Sequence, residues 1–482
     1  MIRYVSTRGS IDPVGFDEVV LQGFAADGGL FVPQEIPRIS ADKLEAWSCL
    51  SYSELAYEIL SLFIDPALIP ADELTRLIEK SFSSFEHPDL MPLVAPGGDD
   101  SFLIMELFHG PTLSFKDIAM GFLINSMDYL LAKRNQHLSV ILATTGDTGP
   151  AAAHACAGKR NIDCWPLYPV GMISDEQKRQ MTTLESENIL PVGVMNCNDG
   201  GDDLDLLIAK LFRDPELKAE LNLSSVNSIN WCRVLVQAVH FAYGYFRAQE
   251  MRDAPVVFSV PSGAFGNLFA GFLAKQIGIP VHGFICANNR NNTLHTLFST
   301  GIFQKKDLVP TLSSAIDIVV PYNLWRYLYF ITGGESGRIR KWMEQFQRHG
   351  EIRFDKDFSS ALSKDYLSYS ISDELTLATL KSTWQNFGYM LDPHTSVAVA
   401  GATFFKKQCD KKLTVVCMAT AHPAKFPDVI KKALGTENLV VAASHPSLIA
   451  AQMREQKGFI FDNMSVETDL INAMRSRNKE RR

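Results

Sequence analysis

Three short segments of the chain carry groups able to do covalent or anion-binding chemistry. In HGPTLSFKD, residues 109–117, Lys116 lies between an apolar strand-like run (SFLIMELF) and an apolar helical pattern that begins near Asp117. A lysine flanked by Phe115 and such a helix is open to desolvation, which lowers its pKa from about 10.4 and frees the amine for a Schiff base. SVPSGAFGN, residues 259–267, reads as strand, glycine turn and helix. Gly263 and Gly266 let backbone N–H groups turn toward an anion at the positive end of the helix dipole. The segment is neither a Walker A loop nor a GxGxxG fingerprint, and a plain tight connection reads equally well. TTGDTGPAAAHA, residues 144–155, repeats the strand, turn and helix pattern. There Thr145, Asp147 and Thr148 offer two hydroxyls and a carboxylate to a polar ligand, or else simply cap the helix.

Placing these residues falls to a run of alternating elements. Strand-like runs at 138–145, 189–195, 256–260 and 412–418 alternate with amphipathic helical patterns, as parallel strands with crossover helices do. Two glycine loops in one parallel sheet face the same carboxyl edge, where ligands bind in open α/β folds. Helical spacing is also expected over 53–63 and 71–82, ahead of a break at MPLVAPGGDD, residues 91–100. Ser174 with Gln177 makes a capping box, and Gly158 and Gly278 fall just past helix ends. The stretch 229–251, with Phe241, Tyr243, Tyr245 and Phe246, reads as a core helix. The basic end, RSRNKERR, reads as a frayed, solvated tail.

Composition narrows the class. The 482 residues suffice for two or three domains, with 46% hydrophobic and 21% charged residues, as in ordinary globular chains. A net charge of −8 makes nucleic acid a poor main partner. No stretch approaches the roughly 20 apolar residues of a membrane span, and the first residues lack a signal-peptide core. Eight cysteines without CxxC spacing read as reduced thiols of a cytoplasmic protein, and no HExxH metal motif occurs.

Taken together with YVSTRG, LQGFAADGGLFVP, NSIN, DPHTSVAV and TAHPAKF, in order from residue 2 to about 435, these segments resemble the threonine synthases among pyridoxal-phosphate (PLP) enzymes. The resemblance implies an α/β, fold-type II enzyme akin to the tryptophan synthase β subunit. It divides the chain into a mostly helical N-terminal domain (1–95), a PLP-binding catalytic region (96–435) with a smaller mobile domain at roughly 120–225, and a C-terminal segment (436–482). It makes Lys116 the Schiff-base lysine and general base. Gly263, Ala264, Phe265 and Asn267 become the cofactor's phosphate loop, and Thr420 the partner of its ring nitrogen. Thr145, Asp147, Thr148, Ser228, Asn230 and Arg233 are the candidates around the substrate. The hydroxyls, amides and guanidinium among them suit a phosphate dianion. Asp147 instead faces the cofactor's 3′-oxygen or caps its helix. His109 reads as a loop histidine, a lid residue or a proton donor. No metal is implied.

The implied reaction converts O-phospho-L-homoserine and water to L-threonine and phosphate, in a cytoplasmic monomer or homodimer. A phospho-lyase giving 2-oxobutyrate and a non-catalytic PLP-binding relative are the alternatives. Two positions depart from the family pattern: Ala264 stands where relatives have Asn, and Pro150 where alanine is common.

Overall fold

The alternating elements build two parallel sheets, not one. The computed structural model describes residues 2–98, 102–197, 201–435 and 444–481. The larger sheet has six strands, in the order Tyr366–Ser370, Gly283–Asn288, Val256–Pro261, Thr414–Ala419, Leu103–Glu106 and Leu93–Val94. Only the last pair is antiparallel. The second sheet has five strands, all parallel, in the order Phe459–Asp462, Val192–Met195, Ile162–Pro169, Leu138–Ala143 and Leu223–Ser224. The two glycine loops therefore belong to different sheets: 262–266 leaves the larger and 144–147 the smaller. The strand Leu93–Val94 lies inside the break read at 91–100, whose residues 99 and 100 fall outside the described residues.

Helices fill the layers around the sheets as their apolar patterns require. The helix Trp231–Met251 is buried on nearly every face through Tyr243 and packs against Gly266–Ile277 and Lys116–Arg134. Phe241, Tyr243 and Phe246 are all buried in it, as expected for a helix that is apolar all round. Tyr52–Ser61 and Ala71–Phe82 match the expected helices, and the former starts with a reciprocal Ser51–Glu54 capping box. The Ser174–Gln177 capping box is present, and Gly158, at φ 73°, follows the end of Thr148–Cys156. Gly278 itself ends its helix at φ 126°.

The basic tail is not frayed. The strand Phe459–Asp462 adds an edge to the smaller sheet, and the helix Val466–Arg481 lies behind it, closing over Leu470 and Met474. Arg481 and Arg477 both reach Asp163, whose side chain is fully buried, with Arg481 Nη2 at 2.7 Å. A buried carboxylate needs such partners, and supplying them orders the tail. Residues 436–443 of the C-terminal segment lie outside the described residues. No helix among the described residues is long and apolar enough to cross a membrane.

Candidate active site

Lys116 and Thr420 are brought to one edge by backbone pairing. Phe115 N–H donates to the Thr420 carbonyl at 2.9 Å, His422 N–H to the Leu113 carbonyl at 3.0 Å, and Ser114 bridges Ala421. The loop after Leu103–Glu106 is thus stitched to the residues after Thr414–Ala419, its neighbour in the larger sheet. The next strand over, Val256–Pro261, delivers the glycine loop to the same carboxyl edge. The two loops carry non-glycine residues with left-handed backbone, Leu113 (φ 58°) and Phe265 (φ 62°), a conformation typical of functional sites and costing roughly 1–3 kcal/mol each.

The glycine loop is shaped to hold an anion. Among the described residues, no acceptor meets the N–H groups of Gly263, Ala264, Phe265 and Gly266, and both amide atoms of buried Asn267 lack partners. Such groups are costly unless a ligand meets them. The loop is held from outside: Asn323 N–H and Nδ2 both donate to the Ala264 carbonyl, at 3.3 Å each. A Cβ on Gly263 would lie 2.9 Å from the Ile316 carbonyl oxygen. The segment carrying Ile316 is fixed in turn by His394, whose Nε2 accepts from Ala315 N–H at 3.0 Å while its Nδ1 bonds Asp392 at 2.8 Å.

Electrostatics single out Lys116. Burial pushes its amine down to about 8; Asp147 opposes this, and Arg233 and Lys425 reinforce it. Its neighbour Asp117 is pushed up by burial to about 6, against hydrogen bonds from Thr112. A poised amine beside unpartnered anion-binding groups suits an aldehyde cofactor bearing a phosphate, so these residues fit PLP.

The remaining candidates divide. Asp147 holds the N-cap position of Thr148–Cys156 without a side-chain capping bond; its carboxylate meets Lys425 Nζ at 2.5 Å and Gln177 Nε2 at 2.9 Å. Burial pushes this carboxyl up, but Lys425, Lys116 and His394 outweigh it and hold it well below the usual carboxylate range. Asn230 is not free for a substrate: its Oδ1 caps the long helix at Cys232 N–H (3.1 Å) and its Nδ2 donates to Val20 (3.0 Å). Arg233 is buried, donates through Nη1 to Val226 at 3.0 Å, and has an unpartnered Nε. No carboxylate among the described residues pairs with it. Ser228 is drawn to the glycine loop by Asn323, which donates to its carbonyl at 3.2 Å. Thr145 and Thr148 are half-buried, and neither hydroxyl bonds a described residue. Thr420 is buried with its hydroxyl likewise free. His109 pairs with Glu106 at 2.8 Å beside a cavity of about 430 Å³ that also meets Tyr389, His422 and His445. That cavity touches neither Lys116 nor the glycine loop.

Lys425, Asn323 and His394 join the site unforeseen from sequence, as does Gln177, which the sequence marks only as half of a capping box. Lys425 and His394 stand in quoted motifs, TAHPAKF and DPHTSVAV, but nothing in a sequence marks a lysine as fully buried.

Three family patterns match the chain: "Threonine synthase N terminus" over residues 3–82, "Pyridoxal-phosphate dependent enzyme" over 92–421 and "Threonine synthase, C-terminal" over 395–464. A threonine synthase of Schizosaccharomyces pombe is 36% identical over 466 residues, covering 90% of each chain. A human protein named threonine synthase-like 2 is 37% identical over 98% of each chain. Among solved structures, yeast threonine synthase superposes with a TM-score of 0.92 at 34% identity, over 98% of this chain and 99% of that one. A PLP-bound threonine synthase from Brucella melitensis gives 0.90 at 34%, over 99% of each.

Proposed function

Because the chain belongs to the threonine synthase family of PLP-dependent enzymes, we propose that it converts O-phospho-L-homoserine and water to L-threonine and phosphate, with Lys116 as the lysine that carries the cofactor. The observation carrying this reading is the stitching of 113–115 to 420–422, beside a loop whose buried N–H groups and Asn267 amide have no partner of their own. PLP, when bound, supplies an electron sink that acidifies the carbons next to the substrate amine.

The chain's own residues do the rest. The N–H groups of 263–266, with Asn267, would hold the cofactor phosphate. The Thr420 hydroxyl would be the uncharged partner of the ring nitrogen. Lys116, with its proton affinity lowered by burial, takes the proton from Cα and can return one at Cγ. Arg233, a buried cation without a carboxylate partner, is the best candidate to hold the phosphate that leaves, aided by the Thr145, Thr148 and Ser228 hydroxyls. Asp147 acts through Lys425 and Lys116, not on the phosphate it would repel. We assign residues 1–95, 96–435 and 436–482 to three domains, with roughly 120–225 as the moving part, in a cytoplasmic monomer or homodimer acting on a small molecule.

The test is product identity by mass spectrometry after incubation with PLP and O-phospho-L-homoserine. Threonine with stoichiometric phosphate is the expected result. Phosphate with 2-oxobutyrate would instead assign the chain the lyase chemistry, and no phosphate release would overturn both.

A further inference from the structure

We propose that Lys425 is a positioning residue: its buried ammonium ties the loop that carries Lys116 to the loop that carries Asp147, so the site is complete only while the two sheets are docked through it. Lys425 follows Thr420 on the larger sheet's edge, and its side chain is 0% exposed. The amine makes two bonds to two other segments: to Asp147 at 2.5 Å, on the smaller sheet's glycine loop, and to the Thr112 carbonyl at 2.8 Å, in the loop before Lys116.

The junction is reinforced on both sides. Gln180, from the helix Asp175–Thr182, donates to the same Thr112 carbonyl at 3.1 Å, and Gln177 of that helix donates to Asp147. Thr112 in turn gives its N–H to Asp117 at 2.9 Å, fixing the residue next to Lys116. One ammonium therefore links three segments that lie far apart in sequence. A lysine can reach a carboxylate and a carbonyl at once, because its three N–H donors rotate about a flexible stem.

Lys425 also sets the charge around Lys116. The groups acting on Lys116 are Asp147, Arg233 and Lys425, while Lys425 in turn acts on Asp117 and His154, and His394 acts on Asp147. With Lys425 in place, Asp147 pairs with one ammonium and feels the field of the other, Lys116. Without it, the carboxylate would be left to Lys116 and Gln177, and Lys116 would hold its proton more tightly.

The inference deepens the reading of Lys116 given above, and rests on it for one of two readouts. In the full-length protein, Lys425→Met should raise backbone hydrogen exchange at least tenfold in both 109–117 and 144–149. In the PLP-loaded protein it should move the pH midpoint of the visible absorbance upward. Lys425→Met/Asp147→Asn, which removes the stranded carboxylate as well, should bring that midpoint back toward wild type and recover solubility if the single variant folds poorly. Faster exchange confined to 420–427 would overturn the proposal, as would a double variant no better than the single one. If visible absorbance responds to pH but survives Lys116→Ala, the assignment of Lys116 fails, while the exchange coupling still decides the role of Lys425.

Discussion

The loop at 263–267 leaves the N–H groups of 263–266 and the Asn267 amide open, whereas the loop at 144–149 turns its carboxylate and its first threonine inward. Thr144 Oγ1 accepts from Gly146 and Gly149 N–H, and Asp147 is held by Lys425 and Gln177. Both loops are a strand, a glycine turn and a helix, yet one is built to grip and the other to brace. The difference lies in what surrounds them. The backbone of Ile316 and the amide of Asn323 hold the first loop from behind, so its own donors remain unused. The second meets an ammonium and an amide from other elements, which take up its carboxylate, while the Thr145 and Thr148 hydroxyls stay open. A parallel-sheet edge can thus divide labour between a sheet that holds a ligand and a sheet that closes on it.

The sharpest test of that division is Lys116→Ala. It should abolish the visible absorbance of bound PLP and lower turnover by roughly 10³-fold or more, since both carrier and base are lost. An unchanged spectrum would move the chemistry off the larger sheet. Paired glycine substitutions come next. Gly263→Ala places a Cβ against the Ile316 backbone, at 2.9 Å from its oxygen, so the loop must shift; PLP affinity should fall about 10- to 100-fold. Gly146→Ala sets a Cβ 2.7 Å from the Gln177 amide and puts alanine at φ 158°, so it should loosen the brace while changing PLP affinity by about threefold or less. Equal losses in equilibrium PLP titrations would erase the contrast.

Much of the fold was legible in the sequence, but the division of the two glycine loops between two sheets was not. The helices at 52–61 and 71–82, the core helix and the capping box follow from periodicity and end signals that act locally. The strand Ile162–Pro169 escaped because Pro166 and Pro169 argue against a central strand, although it is buried throughout. Tertiary packing overrode that local signal. Phe459–Asp462 escaped for a different reason: four residues, partly exposed, far along the chain from the sheet they join. At the site, Lys116, Asn267 and Thr420 stand in motifs with glycine or strand-end context. Lys425 does not announce itself, because its burial depends on three segments that meet only in the fold. Asn230 misled for the opposite reason, since an amide beside a helix start is as often a cap as a ligand.

Smaller effects refine the comparison. Arg477→Met with Arg481→Met leaves buried Asp163 with His137 at 3.5 Å as its remaining ion-pair partner; this should cost about 2–4 kcal/mol in denaturant melts, felt by the smaller sheet. Ala264→Asn should alter PLP affinity by about threefold or less, because Asn323 already fixes the Ala264 carbonyl. A larger gain would mean that the side chain, not only the N–H, touches the ligand. Fully buried His240 is pushed down to about 3 by desolvation, against about 6.5 unfolded. The unfolded chain therefore takes up this proton first as pH falls, so stability is lost from about pH 6.5 downward. His240→Phe should flatten the acid limb of Tm against pH, even as Tyr52 loses its 2.8 Å partner.

The strand Phe459–Asp462 also bears on how the molecule is made. Four strands of the smaller sheet have been synthesised once Leu223–Ser224 emerges, yet the fifth follows about 240 residues later. At ribosomal speeds that is roughly 12–50 s, during which the remaining four strands of the larger sheet become available. The gripping edge can therefore mature on the ribosome while its counterpart still waits for its last strand. Nascent chains, stalled so that residues up to 435 have left the exit tunnel and Phe459–Asp462 has not, offer a natural place to catch one half of the enzyme without the other.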